Sequence, residues 1–224
     1  MHSPAAQPDW PWARHRLVRI DPPAWATLLA SRSDLAAEPL LVDWAARGWP
    51  LVVRRRAPGD GDGLALGLPL PPCAGKRRIA LTLAADAVVS AAPMPPLGDV
   101  VQAAPRHWWP TLRALQSSAA RHDVRPRVFG SLAWQTLTGL VYLGADSDLD
   151  ILWTLPRPAR LGLFLDELAA IAARAPMRLD GELVRPDGAG VNWRELRDGG
   201  AELLVKTRCA PLLARRDAFL QACA

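Results

Sequence analysis

The sequence predicts an α+β protein in two parts. Residues 1–92 form a small α+β domain, and residues 93–224 form a mixed sheet with flanking helices. Three observations predict it. The stretch Arg127–Trp153 reads as strand, Gly-Ser turn, helix and second strand. Ala159–Ala175 repeats apolar residues at helical spacing between two strand-like runs, the pattern of a crossover onto a sheet. The first third instead consists of short apolar runs broken by Gly, Pro and Asp, with Ala91–Pro96 as the linker.

Taken in order, residues 1–12 are Pro-rich and loose, and Arg14–Ile20 alternates basic and apolar residues as a short strand. Asp21 with Pro22 and Pro23 opens a helix over about 23–31. Leu40–Arg47 is a second helix, stopped by Gly48, and Leu51–Arg56 a strand carrying Arg54, Arg55 and Arg56. A loop at Ala57–Gly63 leads to strands at Leu64–Leu70 and Lys76–Leu83. Beyond the linker, 97–104 and 108–122 read as helices. After the central motif come the helix ended by Pro176, a strand at Met177–Val184, a short helix opening at Val191–Leu196, a strand at Glu202–Thr207 and a helix at Pro211–Phe219.

The chemistry concentrates in the central motif. Alternation places Asp148 and Asp150 on one strand face and Leu149 and Ile151 on the other. Their Cα atoms lie roughly 6.5–7 Å apart, close enough for two carboxylates to converge on one ion. Two anions so close repel, and a divalent cation removes the penalty. Mg²⁺ suits the place because it takes one or two carboxylates and completes its shell with water and substrate phosphates. Upstream, Gly130 and Ser131 end a strand at a helix start. Backbone N–H groups there, with the positive end of the helix dipole, cradle a phosphate.

The remaining composition narrows the class. Half of the 224 residues are hydrophobic and 22% charged, which is globular. Of 27 basic residues only Lys76 and Lys206 are lysine, and the net charge is +5. Arginine forks onto phosphate oxygens better than lysine does, and the basic balance attracts a phosphorylated substrate or an acidic partner. Lys76, Arg77 and Arg78, ahead of an apolar strand, are candidate substrate-binding residues. Cys73, Cys209 and Cys223 lack metal-ligand spacing and fit reduced thiols, and the four histidines are not paired as zinc ligands. No apolar run approaches the roughly 20 residues of a membrane span, and the N-terminus lacks the pattern of a signal peptide. The expectation is a cytoplasmic protein.

The order hydrophobic residue, Gly-Ser, helix, Asp-x-Asp strand, over about residues 125–206, resembles the nucleotidyltransferase superfamily. The gap from Gly130 to Asp148 is longer than its common form, so the helix or the following loop must absorb it. The resemblance implies a nucleotidyltransferase-like mixed sheet, with Mg²⁺ held by Asp148 and Asp150 and a third carboxylate from Asp180 or Glu182. Asp180 is the favoured one, as metal ligand or base; Gly181 beside it marks a ligand approaching closely, and Glu182 is left to pair with an arginine such as Arg178 or Arg185. The strings GSLAWQTLTGLVYLGADSDLDILW, RLDGELVRPDGAGVNWREL, LLVKT and GKRRIAL together resemble the malonate decarboxylase holo-acyl-carrier-protein synthases, or phosphoribosyl-dephospho-coenzyme-A transferases. That resemblance implies transfer from triphosphoribosyl-dephospho-CoA to a serine of the apo acyl carrier protein, with loss of pyrophosphate. Gly130 and Ser131 would cradle the triphosphate. Two other readings stand beside it: another Mg²⁺-dependent nucleotidyltransferase, of the antibiotic-modifying or toxin–antitoxin kind, and an inactive module that binds nucleotide or nucleic acid.

Overall fold

A computed structural model describes residues 14–221, so the N-terminal Pro-rich stretch and Cys223 lie outside the described residues. The described chain forms two compact units. One comprises residues 14–94 and 137–142, the other residues 95–136 and 143–221. The described residues are mixed α+β with two sheets. Among the described residues no helix is long and apolar enough to cross a membrane.

In the first unit, β1 (Leu17–Ile20) leads into α1 (Pro22–Ser31), where Asp21 accepts a hydrogen bond from the Ala24 N–H at 3.2 Å and prolines occupy the first turn. Two short helices follow, α2 (Ser33–Ala36) and α3 (Pro39–Val42), then β2 (Leu51–Val53), β3 (Leu64–Pro69), β4 (Arg78–Leu83) and β5 (Val88–Ala92). The strands form an antiparallel sheet in the order β4-β3-β2-β1-β5. Buried tryptophans anchor α1 and the turn after α3. The Trp25 indole donates to Leu41 O at 2.7 Å and that of Trp44 to Pro50 O at 3.1 Å, as buried indoles require.

Three expectations are corrected here. The helix over 40–47 stops at Val42, because Trp44 and Trp49 both turn inward and meet edge-on at 5.0 Å, closing the chain into turns instead. Arg54–Arg56 lie beyond β2; Arg54 folds back to fork onto Asp60 and to cap Leu66 O at 3.0 Å. Ala91 and Ala92 are not linker but β5, paired with Val18 and Leu17. The break between the compact units falls after Met94.

The second unit begins with residues that lie along a strand edge. Leu97 N–H donates to Pro126 O at 3.1 Å and Val128 N–H to Pro95 O at 2.8 Å. These bonds commit the backbone sideways, so the helix expected over 97–104 shrinks to a single 3-10 turn at Val101–Ala103. Then come α4 (Trp109–His122), β6 (Pro126–Phe129), α5 (Gly130–Thr138), β7 (Leu149–Thr154), α6 (Pro158–Ala172), β8 (Leu179–Val184), β9 (Gly190–Asn192), α7 (Trp193–Asp198), β10 (Glu202–Lys206), β11 (Pro211–Arg215) and α8 (Arg216–Gln221). The helix expected over 211–219 is corrected. Its first half is β11, which pairs with all of β10 and satisfies that backbone across a hairpin. The residues before α7 form the small strand β9, which sequence patterning passed over.

The six strands run β11-β10-β9-β8-β7-β6; β7 and β8 are parallel, joined by α6, and the other pairs are antiparallel. Strand alternation decides the faces. Leu149, Ile151 and Trp153 are fully buried in one core with Phe164 and Leu168 of α6 and Leu112 of α4, and Trp153 meets Phe164 edge-to-face at 5.4 Å. Glu167 of α6 clasps α4, taking hydrogen bonds from Ser118 and Arg121, each at 2.7 Å. Arg121 first and Ser118 next hold its carboxyl down at about 2. Asp150, Leu152 and Thr154 alternate onto the opposite face and stay half-buried.

Candidate active site

Three acids meet at the start of the parallel pair. The β6–β7 register sets Phe129 opposite Asp150, and the β7–β8 register sets Asp150 opposite Asp180. Asp148 immediately precedes β7, two residues from Asp150 and therefore on the same side. Asp148, Asp150 and Asp180 are half-buried and each offers a carboxylate oxygen within 4.8 Å of the others'. The sequence reading paired Asp148 with Asp150 and favoured Asp180 over Glu182 as the third acid; the β7–β8 register brings Asp180 to the pair.

Glu182 does not join them. It is only 4% exposed and accepts from Lys206 Nζ at 2.8 Å. The pairing expected with Arg178 or Arg185 is corrected. Arg185 forks onto Asp187, and Arg178 lies 3.8 Å from Asp180. Glu182 finds lysine because β10 places Lys206 opposite Gly190, a residue with no side chain to block the reach back. A Cβ on Gly190 would come within 2.8 Å of the Glu182 carboxylate.

Two glycines take roles that patterning assigned differently. What approaches Gly181 closely is the neighbouring strand β7, since a Cβ there would lie 2.2 Å from Ile151 O. Gly130 begins α5 with φ 65°, and a Cβ there would lie 1.9 Å from Asp150 Oδ2. The absence of a side chain at Gly130 is therefore what lets the Asp150 carboxylate occupy its position. Ser131 is the second residue of α5 and half-buried.

Patterning missed one residue entirely. Asn192 ends β9 and donates its Nδ2 to Asp180 Oδ1 at 2.9 Å. Asn immediately before a helix is a capping signal, and that is the only hint the sequence carried.

Close packing of three carboxylates is costly without compensation. Arg178 offsets little of it at 3.8 Å with a side chain 69% exposed. An all-oxygen donor set of this size fits Mg²⁺ or Mn²⁺ and does not resemble a zinc centre.

Lys76, Arg77 and Arg78 belong to the first unit. Lys76 turns with φ 53°, Arg77 is tied to Glu38 at 2.5 Å, and Arg78 opens β4; all three are exposed. The long gap after Gly130 is taken up by the loop beyond Thr138. Residues 137–142, the end of α5 and the start of this loop, join the first unit, where the buried Tyr142 donates to Pro69 O at 3.0 Å. Burial raises the Tyr142 hydroxyl above its ordinary pKa.

Residues 13–93 match the N-terminal domain of phosphoribosyl-dephospho-CoA transferase MdcG, and residues 96–217 match its C-terminal domain. The chain belongs to this family. It is 49% identical over 220 residues to the phosphoribosyl-dephospho-CoA transferase of Bradyrhizobium diazoefficiens, covering 98% of this chain and 97% of that one. To that of Xanthomonas campestris pv. campestris it is 41% identical over 216 residues, 94% and 98% of the two chains. To that of Pseudomonas aeruginosa it is 33% identical over 168 residues, 74% and 78%. No solved structure matches the chain significantly. The two MdcG domains meet at the break between the compact units.

Proposed function

We propose that the chain transfers the prosthetic-group precursor triphosphoribosyl-dephospho-CoA onto a serine of the apo acyl carrier protein of malonate decarboxylase. The observation that carries the reading is the Asp148–Asp150–Asp180 cluster beside the Gly130 helix start, in a chain of the MdcG family. The succession β6, α5, β7, α6, β8 supports a nucleotidyltransferase-like fold for the second unit. Asp148 and Asp150 would hold Mg²⁺, with Asp180 as third ligand or as base for the serine. The ion supplies charge neutralisation at the phosphates and at the departing pyrophosphate.

In this reading the N–H groups at the start of α5 orient the triphosphate. The carrier serine Oγ attacks the phosphorus nearest the ribose, forming a phosphodiester. The bond from that phosphorus to the oxygen bridging the next phosphate breaks, and pyrophosphate leaves. The serine proton passes to a carboxylate of the cluster. A net charge of +5 favours docking of an acidic carrier. Exposed free thiols at Cys73 and Cys209 accord with a cytoplasmic enzyme.

Mass spectrometry tests this directly. After incubation with this protein, the precursor and Mg²⁺, the apo carrier should gain the prosthetic group in step with pyrophosphate release. An unmodified carrier, with the precursor consumed on some other acceptor, would sink the reading.

Asp180 and Glu182 should separate cleanly. Asp180→Asn is expected to lower turnover at least about 10²-fold at saturating Mg²⁺, because it withdraws charge from the cluster. Glu182→Gln is expected to act on stability. Breaking a fully buried pair costs about 3–5 kcal/mol, and less here because Lys206 is one-third exposed. A lowered melting temperature with turnover nearly kept is the expected Glu182→Gln result; the opposite assignment follows if turnover collapses only in that variant.

Lys76 and Arg78 are proposed to contact the precursor or the carrier, whereas Arg77 is engaged with Glu38. Lys76→Ala with Arg78→Ala should raise KM for one of the two substrates several-fold. Unchanged kinetics for both would reduce the pair to a solvated strand edge.

A further inference from the structure

We infer that Asn192 is the positioning residue that presents Asp180 to the metal through a single oxygen. The inference rests on the metal-site reading above and adds a residue to it.

The Asn192 amide is held at both ends. Its Oδ1 accepts from the Arg194 N–H at 2.9 Å, capping α7. That bond fixes which end of the amide is the oxygen, so Nδ2 is the end that reaches Asp180 Oδ1, at 2.9 Å. The Gly181 N–H donates to the same Oδ1 at 2.8 Å. Among the described residues, Asp180 Oδ1 thus has two protein donors, while the cation beside Oδ2 is Arg178 at 3.8 Å. A carboxylate held in this way cannot turn its plane without losing a bond on one side. On this inference Oδ2 is the oxygen left to hold the ion. Partners behind a metal ligand typically change metal affinity by about 10–100-fold when removed.

Helix capping and carboxylate orientation are separable functions of this one side chain. Serine and threonine also cap helices, but neither carries an N–H of this reach. Asn192→Ser should keep α7 and lose the bond to Asp180; Asn192→Thr, favoured in a strand, serves if the serine variant folds poorly. The readout is Mn²⁺ binding to the whole chain, with free Mn²⁺ followed by electron paramagnetic resonance. Asn192→Ser is expected to raise the Kd for Mn²⁺ about tenfold, with a melting temperature near that of the parent. In an Asp180→Ala background the same change should leave Kd unaltered, since no carboxylate remains to orient. An unchanged Kd in the first case, or an equal rise in both backgrounds, overturns the inference while leaving the metal site standing. Loss of the inference together with the metal site is marked differently: Asp150→Asn would then bind Mn²⁺ as the unsubstituted protein does.

Discussion

Asp148→Asn and Asp150→Asn are each expected to lower turnover by about 10³-fold or more while the chain stays folded. Asparagine keeps the size of the side chain and removes the charge that holds the ion. Both residues are half-buried on the face of the sheet away from the helix-packed core, so the packing of Leu149, Ile151 and Trp153 is untouched. Metal catalysis supplies several kcal/mol of transition-state stabilisation, and each 1.36 kcal/mol is about tenfold in rate. Stability should hold or rise slightly, because one of three mutually repelling carboxylates is gone. Pyrophosphate release measured beside a circular-dichroism melt tests both halves of the statement. Activity within about tenfold of the parent in either variant would remove that carboxylate from the metal site. Chelation should arrest the parent protein, and added Mg²⁺ should restore it.

Gly130→Ala is expected to be nearly as damaging, although it adds one methyl group and changes no charge. The methyl would lie 1.9 Å from Asp150 Oδ2, and φ 65° is a conformation that costs an L-residue about 1–2 kcal/mol. Something must move, and the nearest movable group is the Asp150 carboxylate. Displacement of a reacting constellation by about 1 Å can cost 10²-fold, so a fall in turnover of that order is expected, with weaker Mn²⁺ binding. Ser131→Ala, one residue on, should do much less, because the backbone N–H groups of the α5 start remain. Full activity in Gly130→Ala, with Mn²⁺ affinity unchanged, would mean that Asp150 can leave its position at no cost, which is incompatible with its role as a ligand.

The sequence by itself determined the local pieces of this site. Val128–Phe129, the Gly130–Ser131 turn and the alternation around Asp148 and Asp150 are patterns within a few residues, where strand and helix periods show directly. The α6 helix was equally legible, since its apolar spacing and Pro176 lie in one short window. The family resemblance came from longer strings, and the domain matches bear it out. Non-local pairing was not legible. Ala91–Ala92 looked like linker until β1 supplied a partner, and Pro211–Arg215 looked helical until β10 did. Alternation along β8 put Asp180 and Glu182 on one face and could separate them no further. The tertiary structure separated them by register: Asp150 of β7 stands opposite Asp180, while Lys206 of β10 reaches Glu182. Asn192 is the extreme case, a helix cap in sequence and a partner of Asp180 only once β9 lies against β8. A strand's own period states which face a residue takes, but its neighbour on that face is set by a chain segment elsewhere in the sequence.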